Sequence, residues 1–167
     1  DVMVGLGRRN SHIDASGPLV FVGYGIENKL LGLDDYKGLD VRGKIVVALR
    51  GFPKGMPSEE GAHVGSTKAK VAQQHGAIGF VSIDTLQSAK TRPWQQILRF
   101  ANEPDFAWVG KDGKAHEEAP AIRARAALHA PPAESLFAGS GRVASPPAGV
   151  TVRTDCTNSS MCVPSVA

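Results

Sequence analysis

The residues that come closest to a chemical motif lie at positions 61–68, where the sequence reads GAHVGSTK. The segment falls between a predicted strand and a predicted helix, as a phosphate-binding loop does. It fails the P-loop pattern because its lysine does not directly follow the second glycine. It still permits an anion or a peptide carboxylate to bind at a helix N-terminus, with Ser66, Thr67, Lys68 and the strand-end Arg50 as candidate residues. The simpler interpretation, a capped helix start and a surface arginine, is favoured.

No metal-binding or nucleophile motif is present in the sequence. His116-Glu117 begins an H-E-x-x-H pattern but lacks the second histidine, and there is no G-x-S-x-G turn. The histidines are far apart and are interpreted as surface or capping residues: His12, His63, His75, His116 and His129. The sequence therefore predicts no catalytic residue, no metal ligand and no cofactor in this chain.

The two cysteines, Cys156 and Cys162, both lie near the C-terminal end of the sequence. Their spacing does not match a C-x-x-C redox or zinc motif. Two interpretations stay open: a small disulfide loop in an oxidising compartment, or a pair of free thiols. A thiol-active enzyme using this pair is a further alternative, which an unreactive disulfide would exclude.

Composition limits the class of protein. The 167 residues suit one domain, and 42% hydrophobic with 21% charged residues is ordinary for a globular protein. The net charge is +3, but the Lys and Arg residues are scattered among acidic residues and are not interleaved with aromatic residues. Nucleic-acid binding is therefore disfavoured. No apolar run is long enough to span a membrane. The chain begins without an initiator methionine or a signal peptide, which suggests an internal segment of a longer protein.

One βαβ unit stands out in the element pattern. The continuous β-branched run Ile45–Leu49 predicts a strand buried on both faces, and residues 78–83 predict a second strand. Residues 50–65 contain four glycines and two prolines and predict a long loop. Ser66 or Thr67 is expected to cap the following helix, which ends at Gly76. This order predicts parallel pairing of the two strands.

Weaker patterns flank this unit. An apolar run at residues 18–22 predicts a strand, and residues 121–128 and 150–152 predict two more. Thr91 is expected to cap a short helix carrying Trp94, and Asp112-Gly113 predicts a tight turn. A last helix is predicted around Glu134, Leu136 and Phe137, after Pro131-Pro132.

Four ordered motifs carry a resemblance to a known family. They are Gly23-Tyr24-Gly25 after a strand, Asp34-Asp35-Tyr36, Asp40-Val41-x-Gly43-Lys44, and His75-Gly76-Ala77 at a helix end. In this order they resemble the protease-associated (PA) domain inserted in secreted di-zinc aminopeptidases. That zinc metallopeptidase family includes bacterial leucyl aminopeptidases and glutamate carboxypeptidase. Residues 128–139 are similar to the segment that closes the insertion.

The resemblance implies an α+β fold, a mixed sheet or open barrel with a few short helices and one βαβ unit. We expect a lead-in segment at residues 1–17, the PA-type domain at 18–153 and a tail at 154–167. It also implies a non-catalytic role that shapes substrate access or binds peptide or protein segments. The implied partner is the parent's peptidase domain, which would carry the zinc, in the periplasm or outside the cell. The alternative is a free-standing domain that binds a small anion or peptide.

The motif residues also have structural explanations. Gly43 is expected to adopt a positive φ in a tight turn between Asp40 and Lys44. Tyr36 is expected to pack its ring and to use its hydroxyl in a local hydrogen bond.

Overall fold

The computed structural model of the protein describes residues 2–5, 13–101, 106–129, 150–154 and 165–166. In chain order its strands are β1 (Val2–Gly5), β2 (Ile13–Gly17), β3 (Leu19–Phe21), β4 (Glu27–Asn28), β5 (Leu33–Asp34), β6 (Ile45–Leu49), β7 (Gly79–Ile83), β8 (Ala124–Leu128), β9 (Val150–Thr154) and β10 (Ser165–Val166). The helices are α1 (Ser58–Gln74), α2 (Leu86–Thr91) and α3 (Trp94–Ala101). A 3-10 turn at Lys29–Leu31 joins β4 to β5.

The main sheet has five strands in the order β1-β8-β7-β6-β3. Strands β3, β6, β7 and β8 run parallel, and β1 pairs antiparallel with β8 at the edge. The predicted parallel pairing of the βαβ unit is confirmed, with Ile45 opposite Gly79 and Leu49 opposite Ile83. The strands predicted at 18–22 and 121–128 are also found with shorter bounds, and the strand predicted at 150–152 extends to Thr154.

Both faces of the main sheet are apolar, as the β-branched run predicts. Alternate residues of each strand point to opposite faces. One face joins Val46, Ala48 and Phe80 to Ala72 of α1 in a single core cluster. The other face forms a second cluster around Ile45 and Val47. A smaller sheet, with the strand order β10-β9-β2, packs near the β1 edge of the main sheet. Its Ala15 contacts Ala124 of β8 and Val4 of β1.

The predicted start of the central helix is wrong. Helix α1 begins at Ser58, inside the predicted loop, and Pro57 stands at its N-cap. Glu59 and Glu60 in the first turn favour this start because acidic side chains stabilise the positive end of a helix. Gly61 disfavours a helix by its propensity, but the Phe52 ring packs against its backbone, where a larger side chain would not fit. The predicted end is confirmed, since Gly76 follows α1 with a φ of 83°.

The second helical region is also divided differently from the prediction. Thr91 is the last residue of α2, and the cap belongs to Thr85. Its side-chain oxygen accepts from the Ser88 N–H, and its own backbone N–H donates to the Ser88 hydroxyl. The next helix, α3, begins at Trp94 directly after Pro93, so the predicted helix body itself is confirmed. The Asp112-Gly113 turn is found, with Val109 bridged to Ala115. The helix predicted around Glu134, Leu136 and Phe137 and both cysteines lie outside the described residues.

Gly25, in the loop after β3, offers a test of the core at this end of the sheet. It has a φ of 69°, and a Cβ there would lie 3.1 Å from the Cβ of Ala48, a fully buried residue. Gly25→Ala is expected to lower the free energy of unfolding by about 2–4 kcal/mol, measured by urea denaturation, because backbone strain and overpacking add. Gly38→Ala is the matched control: φ is 75° there but nothing lies within 4 Å, so only about 1 kcal/mol should be lost. Equal losses of unfolding free energy at Gly25 and Gly38 would contradict crowding of the added Cβ against Ala48.

Candidate functional site

The parallel strands of the main sheet all end at one edge, and polar or aromatic residues follow directly. Tyr24 lies in the loop after β3, Arg50 follows β6, Asp84 follows β7 and His129 follows β8. Open parallel sheets bind ligands at this carboxyl edge because separate loops converge there. The topology therefore brings together side chains that are far apart in the sequence.

Asp84 is the centre of this arrangement. Its side chain is 1% exposed, and its Oδ1 atom lies 3.1 Å from the Nε atom of Arg50. The Ser88 hydroxyl donates to the same oxygen at 3.5 Å. The backbone N–H of Asp84 donates to the Leu128 carbonyl at 3.0 Å, which fixes it between β7 and β8. A buried carboxylate is stable only when paired, and Arg50 supplies the positive charge.

His129 occupies the other side of the same carboxylate. Its Nδ1 atom lies 3.7 Å from the Oδ2 atom of Asp84, and its ring stacks on Trp94 with 5.2 Å between ring centroids. Three buried atoms here have no hydrogen-bond partner among the described residues: Asp84 Oδ2, His129 Nδ1 and Trp94 Nε1. Unpaired buried polar atoms are rare and call for an explanation. We name Arg50, Asp84, Trp94 and His129 the carboxyl-edge cluster.

Lys68, predicted at a helix start, lies within α1 with only 6% of its surface exposed. Its Nζ atom donates to the carbonyls of Leu49 at 2.7 Å and Gly51 at 2.5 Å, and lies 5.4 Å from the centre of the Tyr24 ring. Burial lowers the pKa of Lys68 to about 8; Asp35 opposes this change and Arg50 adds to it. Lys68 therefore holds the loop after β6 against α1, beside the carboxyl-edge cluster.

Ser66 and Thr67 do not join this site. Both lie within α1, and their hydroxyls donate to the carbonyls of His63 and Val64 one turn earlier. The interior of a helix offers no exposed amides to an anion. The site predicted from four residues is thus reduced to Arg50 at the edge, with Lys68 behind it.

The Gly-Tyr-Gly and Asp-Asp-Tyr motifs shape the loops next to this edge. Gly23 and Gly25 both have positive φ angles. Asp35 accepts a hydrogen bond from the Ile26 N–H at 3.0 Å, and Asp34 accepts one from the Tyr36 N–H at 3.1 Å. These bonds hold the loops in place.

Tyr36 is buried as predicted, but its predicted hydrogen bond is not found. Its ring stacks on His75 with 4.3 Å between centroids, while its hydroxyl has no partner among the described residues. Burial first, and then the negative charges of Asp35 and Glu27, raise the pKa of Tyr36. His75 stands at the C-cap of α1 and lies 2.7 Å from a carboxylate oxygen of Glu27, so its predicted capping position is confirmed.

The turn before β6 follows the prediction closely. Gly43 has a φ of 66° and donates its N–H to the Gly76 carbonyl at 2.9 Å. Asp40 accepts from the Arg42 side chain at 3.0 Å, and its backbone carbonyl accepts from Lys44 Nζ at 2.8 Å. The Arg42 hydrogen bonds hold the pKa of the exposed Asp40 below its usual value.

Two findings bear on metal binding and membranes. In the part of the chain that the structure describes, no three His, Cys, Asp or Glu side chains are grouped closely enough to hold a metal ion. Within the same residues, no helix combines the length and the apolar character needed to cross a bilayer.

The fold and its ordered motifs agree with a family match. The model of the PA domain family matches residues 15–122, so this chain belongs to the PA domain family. No curated protein matches the chain. The predicted α+β fold, a mixed sheet with a few short helices, is confirmed, and the described residues form three helices. PA domains are protease-associated and typically non-catalytic.

Proposed function

We propose that this PA domain binds a peptide segment at the carboxyl edge of its parallel strands and has no catalytic activity of its own. The observation that carries the proposal is the convergence of Arg50, Asp84, Trp94 and His129, from four separate positions in the chain, on one edge of the sheet. Such an edge offers charged and aromatic groups together with strand-end backbone, the combination that binds extended peptides.

We further propose that the domain guides substrates for an exported zinc aminopeptidase. The support is the order of the four motifs, whose residues shape the loops beside the carboxyl-edge cluster. The zinc would then belong to the peptidase domain, and the location would be periplasmic or extracellular. The peptidase domain of the parent would be the direct partner of this chain.

Peptide binding can be followed with the tryptophan of the site. The sequence contains two tryptophans, so Trp108→Phe leaves Trp94 as the single reporter. Because Trp94 stacks on His129, titration with N-acetyl-Ala-Leu is expected to change its fluorescence and to saturate. A linear response without saturation, up to millimolar peptide, would contradict peptide binding.

The proposed association with a peptidase has a separate test. The chain alone and the longer protein that contains it are assayed for zinc content and for hydrolysis of leucine p-nitroanilide. We expect zinc and activity only in the longer protein. Hydrolysis by the purified chain would overturn the non-catalytic assignment, and a longer protein without zinc would favour the free-standing binding domain.

A further inference from the structure

Arg50 has donors left over after it has paired with Asp84. The ion pair is made by its Nε atom, 3.1 Å from Asp84 Oδ1, and the two terminal guanidinium nitrogens stand outside that contact. The side chain is 23% exposed, so part of it reaches solvent beside the ion pair. A guanidinium in this position presents a planar pair of N–H donors that matches a carboxylate.

His129, like Arg50, faces Asp84 with one nitrogen and is partly exposed. Its Nδ1 atom is buried and faces Asp84, yet the side chain as a whole is 33% exposed. The exposed part therefore lies in the side-chain atoms other than Nδ1. A carboxylate next to Nδ1 favours the tautomer that keeps a proton on Nδ1. The ring can then donate from Nε2 only when it is protonated at both nitrogens.

We propose that Arg50 and His129 together bind a carboxylate of the peptide, with Asp84 as the positioning residue between them. This inference rests on the proposed peptide binding and names its chemistry. The carboxylate can come from the free C-terminus of a peptide or from an acidic side chain. Leu86, two residues beyond Asp84 and 85% exposed, offers an apolar contact to a neighbouring ligand side chain.

The charged groups of the free site are paired with one another. The buried Asp84 offsets the charge of Arg50, while Lys68 and Asp35 on neighbouring elements interact with one another nearby. An added ligand carboxylate is therefore bound through the N–H donors that Arg50 presents to it, with the His129 ring on the other side of Asp84.

The test compares three probes on the full chain by two-dimensional NMR titration: N-acetyl-Ala-Leu, its C-terminal amide, and N-acetyl-Glu-Leu amide. The free carboxylate is expected to bind about 10- to 100-fold more tightly than the first amide at pH 6, because a charge-assisted bidentate contact is lost. N-acetyl-Glu-Leu amide shows whether an acidic side chain can replace the terminus.

Variants locate the effect. Arg50→Lys keeps the charge that Asp84 needs but loses the planar fork, and His129→Asn removes the protonatable ring. Each should reduce the preference for the carboxylate about tenfold. The matched controls, Arg123→Gln and His63→Asn, change exposed residues elsewhere and should leave it unaltered.

The outcomes separate this inference from the proposed function. Equal affinity for the acid and both amides, or a preference that survives in both site variants, would overturn the carboxylate site while peptide binding stands. If none of the three peptides binds, peptide binding itself is wrong.

Discussion

Replacing Asp84 with asparagine is expected to lower the free energy of unfolding by about 3 kcal/mol. Asparagine has nearly the same shape, so the change removes charge and leaves packing intact. Arg50, which is mostly buried, then loses the carboxylate 3.1 Å from its Nε atom. Removing one partner of a buried ion pair leaves the other charge uncompensated, and the partial exposure of Arg50 places the loss at the lower end of the known range.

Urea denaturation at pH 7 measures this loss. Asp112→Asn is the matched control, because Asp112 is exposed in a turn where an asparagine oxygen can also accept the Lys114 N–H. It should change stability by less than about 0.5 kcal/mol. A loss below about 1 kcal/mol for Asp84→Asn would show that the ion pair does not organise this edge.

The second large effect concerns Lys68 and pH. Its pKa is lowered to about 8 from 10.5 by burial, so between these values the unfolded chain holds a proton that the folded chain does not. Stability rises with pH wherever the unfolded state binds more protons. One pKa unit corresponds to about 1.4 kcal/mol, so wild type should gain about 3 kcal/mol over Lys68→Met between pH 7 and pH 10.5.

At pH 7 the net effect of Lys68→Met combines two opposing contributions. The carbonyls of Leu49 and Gly51 lose their donor, at a cost of about 1–3 kcal/mol each, while the cost of burying a charge is relieved. The prediction therefore concerns the change with pH. Lys70→Met, at an exposed position of the same helix, should follow wild type across the range. A constant difference between wild type and Lys68→Met would contradict the burial of a charged lysine.

The sheet could be predicted from sequence because its signals are local. A continuous β-branched run such as Ile45–Leu49 is typical of a buried strand wherever it occurs. The start of α1 was missed because Gly61 weakens the helical pattern; the acidic first turn, Glu59 and Glu60, is the local signal that favours it, and Phe52 packs on the Gly61 backbone. The local propensity of Gly61 disfavours a helix, and the tertiary contact with Phe52 is made in the helical conformation nonetheless.

The candidate site was only partly visible in the sequence. Arg50 was found because it directly follows the strongest strand. Asp84 and His129 also directly follow predicted strands, at residues 78–83 and 121–128, so the same rule could have found them. Trp94 could not have been assigned, because only tertiary packing places it on His129.

Amide chemical-shift mapping with N-acetyl-Ala-Leu tests most directly where on this domain a peptide binds. We predict that the largest shifts fall at the carboxyl edge, in Gly23–Gly25, Arg50, Asp84–Leu86 and His129. Largest shifts around the exposed Trp108 and Val109, or none at saturating peptide, would contradict a peptide-binding site at this edge.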